Sequence, residues 1–279
     1  MQAKTLMVVG MHRSGTSLIS NWLYRCGLHL GEHLLEAGTG NIEGHFEDVE
    51  FLKMHEEILT SNAFPPTGYV YDKVIDISVY HLEKLKSVIR VKNQRYEQWG
   101  WKEPRTCLFL DLYRELIPNS KYLVIVRDYV SVVNSLLKRD FAQIEEKHLC
   151  RKAFHRMLWL YLKRNKSKKK FYRDHTEYYL KVYIEYNEHI LCALGGLSPE
   201  DYIVVNYSLL EKNDKEVFSF LTDKWLFKLH YFSFKDVYNK NLMSKPFDIN
   251  TFIKDTSLIT KAKGLEEDFT KYMKLANVS

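Results

Sequence analysis

The chain of 279 residues is 46% hydrophobic and 27% charged, and its 41 basic and 35 acidic residues give a formal net charge of +6. These values exclude a disordered chain and suffice for one globular domain with a full core. No segment approaches the roughly 20 consecutive apolar residues of a membrane-spanning helix, and a strand pattern starts almost at the N-terminus. We therefore expect no transmembrane segment, no secretory leader and a cytoplasmic location.

Cysteine usage points the same way. The four cysteines lie far apart, show no C-x-x-C spacing and are too few for a secreted disulfide framework. We expect all of them to be buried thiols: Cys26, Cys107, Cys150 and Cys192.

Short apolar runs followed by helical patterns recur along the chain. Strands are predicted over 6–9, 122–126 and 202–205, with a weaker one at 99–101. Helices are predicted over 14–25, 79–96, 107–116 and 130–138, and a long helical span over 144–194 is expected to break near its lysines. This alternation predicts a single α/β domain over 1–279, with a central parallel sheet flanked by helices and a helical lid at about 140–195.

The lid contains an unusually basic segment. Residues 163–173, KRNKSKKKFYR, carry seven basic side chains and no acid. Such a run is typical of a solvated helix end or connecting loop, and the alternative is an electropositive rim that attracts an anionic substrate or cofactor. The lid aromatics are expected to pack inside the lid rather than to stack on bases: Trp159, Tyr161, Tyr178, Tyr179, Tyr183 and Tyr186.

The stretch 10–17, GMHRSGTS, has the frame of a phosphate-binding loop between a strand and a helix. A glycine-bearing turn of this kind directs backbone N–H groups to one point, where the helix dipole adds positive charge, so it predicts an anion site. Thr16 stands where a Walker loop has lysine, and Arg13 supplies a cation from within the turn. Arg127 beside Asp128, after another predicted strand, disfavours a divalent metal there.

These segments resemble the sulfotransferases that use 3′-phosphoadenosine-5′-phosphosulfate (PAPS). MHRSGTSLI is similar to the family's 5′-phosphosulfate loop, and IVRDYVSVVNSL to its 3′-phosphate segment, in which Arg127 and Ser135 would hold the phosphate. WKEPRTCLFLDLYRELIPNSKYLVIVRD resembles the K-x-P-R segment of bacterial-type members. DYIVVNYSLLEKN is similar to the strand and tyrosine segment in which Tyr207 would contact the adenine.

The resemblance implies a P-loop-like nucleotide-binding fold, PAPS as donor, 3′-phosphoadenosine-5′-phosphate (PAP) as product, and no required metal. Lys102 would be a second cation near the loop, or simply a lysine on a sheet edge. Two positions depart from the family pattern, because Tyr129 replaces a frequent proline and Leu18 replaces a tryptophan found in members that modify small aromatics. The implied cofactor-binding residues are His12, Arg13, Ser14, Gly15, Thr16, Ser17, Arg127, Ser135 and Tyr207.

A hydroxyl acceptor also needs a general base. Residues 41–48 resemble the N-x-x-G-x-x-E stretch of bacterial-type members, whose glutamate begins a helix near the acceptor, which favours Glu47, then His45, then His12. Alternatively, Glu47 and Asp48 are ordinary first-turn acids that offset the helix dipole. His29 and His33 lie four residues apart but lack any metal-ligand pattern, so no metal site is predicted.

The sequence thus predicts a PAPS-dependent sulfotransferase acting on a hydroxyl or amine of a small molecule or carbohydrate. The acceptor pocket would be built from the loop at 31–46, the Pro-Pro loop near residue 65 and the lid, whose basic segment favours an anionic acceptor. A P-loop nucleotide kinase or NTPase is the first alternative. The second is a non-catalytic protein that docks on nucleic acid or an anionic membrane through residues 163–173. Under the leading interpretation no nucleic acid is expected, and the sequence leaves the oligomeric state open.

Overall fold

The computed structural model describes residues 3–36, 44–238 and 247–273. Within these ranges four parallel strands form one sheet in the order β2-β1-β3-β4. The strands are almost wholly buried, as expected for a parallel sheet covered on both faces. Their bounds are β1 Lys4–Val9, β2 Gln98–Lys102, β3 Lys121–Ile125 and β4 Tyr202–Val205.

Helices flank this sheet, so the predicted α/β fold is confirmed. The described helices are α1 Thr16–Arg25, α2 Val49–Ser61, α3 Val79–Arg95, α4 Leu110–Leu116, α5 Tyr129–Leu149, α6 Ala153–Leu158, α7 Arg164–Gly195, α8 Tyr207–Ser219 and α9 Thr256–Tyr272. None of them is long and apolar enough to cross a bilayer.

The weakly predicted strand at 99–101 is β2, and aromatic packing explains why it forms. Phe51 of α2 stacks on Trp101 with ring centroids 4.3 Å apart, and Trp99 stacks on Trp101 at 5.5 Å. All three side chains are fully buried. Between them, a Cβ added at Gly100 would overlap the Leu6 carbonyl of β1, so glycine permits the close approach of the two strands.

The long helical span breaks at a different point from the predicted one. The interruption lies at residues 150–152, between α5 and α6, whereas the lysines at 166–170 lie inside α7. A π-helical turn, Trp159–Lys163, joins α6 to α7 without ending the helix. Lysine is a good helix former, and the buried face of α7 that begins at Tyr172 holds this helix in place.

The cysteine prediction is half right. Cys26 and Cys107 are buried, but Cys150 and Cys192 are exposed. Cys150 follows the last residue of α5, and Cys192 lies near the end of α7, so neither position faces the core. All four are free thiols.

Candidate active site

The loop between β1 and α1 is a tight turn with two residues in the left-handed region. Arg13 has φ 66° and Gly15 has φ 99°. The hydroxyl of Ser14 donates to the Met11 carbonyl at 2.7 Å and closes the turn. A Cβ at Gly15 would overlap the Tyr207 hydroxyl, so this position requires glycine for both its backbone angle and its space.

Helix α1 begins directly after this turn, and no side chain of the helix neutralises the partial positive charge at its N-terminus. It has no side-chain cap and no acid in its first turn. The N–H groups of Thr16 and Ser17 therefore have no carbonyl partner within the helix, and the helix dipole adds positive charge beside them. This local structure is suited to an anion.

The two segments with phosphate-binding patterns meet at this turn. The Nε of Arg13 donates to the Ser135 hydroxyl at 2.9 Å, and the Nη1 of Arg127 donates to the Arg13 carbonyl at 3.0 Å. They meet because β1 and β3 are neighbouring parallel strands, whose carboxyl ends lie at the same edge of the sheet. Asp128 caps α5 by accepting from the Ser131 N–H at 2.8 Å.

Several positive charges are concentrated here. Burial lowers the pKa of the Arg13 guanidinium, and the charges of Arg139 and Arg127 lower it further. After burial, the charges of these two neighbouring arginines disfavour the charged form of Arg13, and an anion between the three arginines would offset their repulsion.

Tyr207, the first residue of α8, covers the loop. Its ring centroid lies 5.8 Å from the Arg127 guanidinium carbon, and its ring stacks on Tyr238 at 5.9 Å. Its hydroxyl occupies the space that a side chain at Gly15 would need. Burial raises the Tyr207 pKa, so the phenol is protonated and its oxygen can donate a hydrogen bond.

Lys102, the last residue of β2, is buried against the same loop. Its Nζ donates to the Ser17 hydroxyl at 3.1 Å and to Glu47 Oε1 at 2.9 Å. Burial lowers the pKa of Lys102, while the Glu47 carboxylate raises it. Although β2 is the edge strand of the described sheet, this side chain has no solvent exposure. Lys102 thus links the phosphate loop to the segment before α2.

The two acids of that segment have different environments. Asp48 is the N-cap of α2 and pairs with the Lys92 ammonium at 2.8 Å, so it has the structural role considered above. Glu47 precedes the cap, because α2 begins at Val49 rather than at Glu47 as expected. The Nδ1 of His45 lies 3.9 Å from Glu47 Oε1, and burial lowers the His45 pKa, which keeps its imidazole neutral at neutral pH.

His12 lies inside the loop with its ring between two tyrosines. Its ring centroid is 5.2 Å from that of Tyr69 and 5.8 Å from that of Tyr186. Its Nε2 is buried and has no hydrogen-bond partner within the described structure. Burial, together with the charge of Arg105, holds the His12 pKa well below its usual value. His12 is therefore a neutral imidazole whose ring nitrogen has unused hydrogen-bonding capacity.

Sequence reasoning missed Arg105, which was quoted only within the K-x-P-R segment. Its Nε donates to the Pro66 carbonyl at 2.6 Å, its Nη1 bonds the Glu103 carboxylate, and its Nη2 lies 3.3 Å from Glu56 Oε1. These contacts fix the guanidinium at the wall of the site. The sequence signal was available, since Arg105 ends the segment that contains Lys102.

Arg139 was also missed. It lies on α5 four residues after Ser135, so the two side chains share one face of the helix. Its Nε donates to Asp140 at 2.6 Å, and its Nη2 donates to the Tyr69 hydroxyl. The i, i+4 spacing from Ser135 could have identified it.

A buried acid supports this wall from behind. Glu103 is fully buried and bonds His55 Nδ1 at 2.5 Å as well as Arg105. Burial opposes its ionisation, but the charges of Arg105 and His55 outweigh that effect and lower its pKa to about 2. The carboxylate is thus ionised at neutral pH and holds both partners.

The groups surround a cleft of about 310 Å³, within the usual size range of small-molecule sites. The loop at 31–46, which was expected to build the acceptor pocket, contributes Leu35 and His45 to the cleft lining, and its residues 37–43 lie outside the described ranges. The Pro-Pro loop contacts the lining residue Arg105 through the Pro66 carbonyl. Lys102, Arg127 and Ser135 lie outside this lining but contact lining residues, and Tyr207 lies behind them against Arg127. The lining residues are His12, Arg13, Thr16, Ser17, Leu35, His45, Glu47, Leu52, Glu56, Pro104, Arg105 and Arg139.

The cleft combines cations that can hold an anion with the carboxylates of Glu47 and Glu56 and two neutral imidazoles, which can accept a proton. Among the described residues, no group of three or more His, Cys, Asp or Glu side chains is arranged to hold a metal. His29 stacks on Tyr96 with centroids 3.9 Å apart. The arrangement therefore suits transfer of an anionic group between oxygen atoms.

Comparison with solved structures reveals similarity to bacterial sulfotransferases. Sulfotransferase STF9 from Mycobacterium avium is 13% identical, with a TM-score of 0.54, over 96% of this chain and 77% of that one. The sulfotransferase domain of the curacin biosynthetic pathway is 16% identical, with a TM-score of 0.49, over 96% and 98%. That of the Synechococcus PCC 7002 olefin synthase is 15% identical, with a TM-score of 0.46, over 96% and 95%. At such identities the similarity to STF9 concerns the fold alone.

The family comparison is more specific. The model of the sulfotransferase family matches residues 5–223, a range that contains the phosphate loop, both arginine-bearing strand ends and α8. A search of the curated proteins finds no significant match. Since the family match covers most of the chain, the protein belongs to the sulfotransferase family.

Proposed function

We propose that this protein is a PAPS-dependent sulfotransferase that transfers a sulfuryl group to a hydroxyl or amine of a small molecule or carbohydrate held in the cleft. One observation carries the proposal. The Arg13 guanidinium bonds Ser135, and Arg127 bonds the Arg13 carbonyl, so the two segments with phosphate-binding patterns are in contact, as a single cofactor site would require. We propose that residues 1–279 form one sulfotransferase domain.

The residues present fit a ligand with phosphate groups at two ends. The glycine turn and the N-terminus of α1 offer unpartnered N–H groups at one point. Arg127 and Ser135 offer a second cation and a hydroxyl beside it. The crowded positive charge around Arg13 gives an independent reason for an anion at this position. Tyr207, stacked beside Arg127, closes the site on a third side.

When bound, PAPS supplies an activated sulfuryl group with PAP as its leaving part. Arg13 and the N–H groups of Gly15, Thr16 and Ser17 would hold the 5′ end, and Arg127 with Ser135 would hold the 3′-phosphate. Lys102 fixes the Ser17 hydroxyl and adds a buried positive charge beside the loop. Charge-assisted contacts of this kind stabilise developing negative charge in transfer of such groups.

Glu47 is our first choice for the general base, followed by His45 and then His12. The Glu47 carboxylate lines the cleft, and Lys102 fixes one of its oxygens. His45 is neutral and adjacent, so it could accept the proton instead. Arg105 and Arg139, both on the cleft wall, would orient an acceptor that carries negative charge.

We propose that the reaction needs no metal. Cationic side chains already supply the positive charge that Mg²⁺ provides in kinases. Asp128, the acid beside the phosphate site, is engaged in capping α5. Free thiols at all four cysteines also support a reducing, cytoplasmic environment.

Calorimetric titration with PAP in the absence of metal, beside ATP with Mg²⁺, tests this proposal. We expect saturable PAP binding and little heat from ATP. A preference for ATP with Mg²⁺ would identify a kinase-like site instead. Binding of neither nucleotide would contradict the proposed donor.

A further inference from the structure

A second cationic region lies on the surface, apart from the cleft. Between Lys147 and Arg173 the sequence has eleven lysines and arginines and no aspartate or glutamate. This stretch contains the end of α5, all of α6, the π-helical turn and the first residues of α7. We call it the basic apolar surface, because its exposed side chains are of both kinds.

Its apolar component is unusual for a solvated face. Six of the thirteen exposed large hydrophobic side chains in the described ranges lie between residues 149 and 162. Tyr161 is 81% exposed, Leu162 71%, Phe154 67% and Met157 54%. The expectation that Tyr161 packs inside the lid is therefore wrong. Concentrated exposed hydrophobic side chains on a folded protein indicate an interaction surface.

The backbone beneath these side chains is anchored. Trp159 is buried and stacks on His148 with ring centroids 3.7 Å apart. Arg164 pairs with Glu145 of α5. Because these contacts fix both ends of the π-helical turn, its side chains from Leu160 to Leu162 are presented to solvent on a defined frame rather than on a loose loop.

The pair with Glu145 neutralises Arg164, but the other lysines and arginines of this surface have no acid within the stretch itself. Helix α6 begins after Lys152, with no side-chain cap, no acid in its first turn and no buried residue. Helix α7 also lacks an acid in its first turn, where Arg164 and Lys166 lie. Cations near a helix N-terminus are unfavourable, and repeated like charges repel, so an external anionic surface would stabilise this region.

We propose that the basic apolar surface docks on an anionic lipid bilayer. The lysines and arginines would contact anionic headgroups, while Phe154, Met157, Tyr161 and Leu162 would enter the boundary between headgroups and acyl chains. A second copy of the chain is a poor occupant, because its eleven basic side chains would lie against the eleven of the first copy and repel them. Nucleic acid matches the charge but makes no use of exposed leucine and methionine side chains.

Docking there would bring the cleft close to the lipid surface. Helix α5 carries Ser135 and Arg139 and ends at Leu149, so the docking region lies about 15 Å beyond Arg139 along one helix. The inference does not depend on the proposed reaction, since it rests on exposure and charge alone.

Sedimentation with vesicles tests the docking proposal on the full chain. The probes are phosphatidylcholine vesicles, with and without about three tenths phosphatidylserine, and duplex DNA and polyglutamate serve as competing anions. One variant combines Lys163→Gln, Lys166→Gln, Lys169→Gln and Lys170→Gln, and another combines Phe154→Ser, Met157→Ser, Tyr161→Ser and Leu162→Ser. The matched control combines Lys53→Gln, Lys73→Gln, Lys212→Gln and Lys224→Gln, four exposed lysines elsewhere.

We expect salt-sensitive binding to the anionic vesicles only, weakened at least about tenfold in both surface variants and retained in the control. Near-ultraviolet circular dichroism and thermal unfolding check that each variant is folded. Equal binding to neutral vesicles, no binding to either kind, or full binding by the apolar variant would overturn the proposal. Tighter binding to DNA or polyglutamate, independent of the four apolar side chains, would assign the surface to a nucleic acid or acidic protein instead.

Discussion

The cleft and the basic apolar surface are both cationic, but they are built in opposite ways. In the cleft, Lys102 pairs with Glu47, Arg105 with Glu103, and Arg139 with Asp140. These cations are largely buried and their carboxylate partners are fixed. On the surface, no acid occurs in the whole stretch from 147 to 173, and the side chains reach into solvent.

The difference shows that the number of cations does not define a region's role. Where acids fix the cations in position, the arrangement can recognise one ligand of defined shape. Where acids are missing, as on the basic apolar surface, the cations can attract many kinds of anion. The exposed apolar side chains then determine which anionic partner binds best. Five variants and their controls test this contrast.

Glu103→Gln should have the largest effect, on the stability of the cleft wall. It leaves Arg105 and His55 without their buried carboxylate partner, and breaking such a pair costs about 3 to 5 kcal/mol in the free energy of unfolding. Urea unfolding measures this loss. The control Glu97→Gln removes a fully exposed surface pair with Lys228 and should leave the free energy of unfolding nearly unchanged.

The same variant tests a pH dependence. The Glu103 pKa is lowered to about 2, so its ionised form contributes stability that is present above its ordinary pKa and lost as pH falls from about 4.5 towards 2. In Glu103→Gln the free energy of unfolding should therefore decrease less as pH falls through this range. A curve parallel to that of the wild type would show that Glu103 does not stabilise the cleft.

Glu47→Gln should lower turnover at least about 100-fold while PAP affinity changes little, because it removes the proposed proton acceptor but leaves the loop between β1 and α1 intact. Single-turnover kinetics beside calorimetry separates the two quantities. Glu57→Gln, on the same α2 segment but paired with Lys84, is the control and should keep full activity. Unimpaired turnover in Glu47→Gln would move the base role to His45.

Arg13→Ala and Arg127→Ala should each weaken PAP binding by about 1.5 to 3 kcal/mol, the usual range for a charge-assisted hydrogen bond. Calorimetric titration measures both. Arg25→Ala removes an exposed arginine from the last turn of α1 and should leave affinity unchanged. Wild-type affinity in both cleft variants would contradict the assignment of the cofactor site.

The smallest effect is expected at the basic apolar surface. Replacing Lys163, Lys166, Lys169 and Lys170 by glutamine should change the free energy of unfolding by no more than about 0.5 kcal/mol, because exposed side chains contribute little and Lys163, although it precedes α7, makes no side-chain cap bond. Thermal unfolding measures it. A large loss would mean that these lysines support the fold as the cleft cations do, which would erase the contrast between the regions.

The sequence predicted three of the four strands well, because β1, β3 and β4 are short apolar runs, and β4 matches its expected bounds, Tyr202–Val205. The strand β2, QWGWK, was predicted only weakly because it is not such a run. The sequence also identified the loop and the strand end that bring Arg13 and Arg127 together. Helices α8 and α9 were not predicted. The start of α2 was placed two residues early, because the cap at Asp48 is recognised from its contact with the Glu50 N–H rather than from composition.

The missed site residues have a common physical cause. Arg105 and Arg139 are drawn to the cleft by distant partners, Pro66 and Tyr69, which lie in one irregular segment without periodicity. Their spacing from Lys102 and Ser135 hinted at a shared face, but only the tertiary structure shows what that face contacts. The exposure of Tyr161 was missed for the same reason, since an aromatic residue is usually buried.

Each of the four strands ends at a different part of the candidate site. β1 is followed by Arg13, β2 ends in Lys102, β3 is followed by Arg127 and β4 by Tyr207. The ligand-binding groups are therefore assembled only when the entire sheet has formed, and a chain that lacks any strand loses one of them. Binding and global folding are consequently linked, so that PAP at about 100 times its Kd should raise the free energy of unfolding by about 2.7 kcal/mol and shift the whole cooperative transition rather than one part of it.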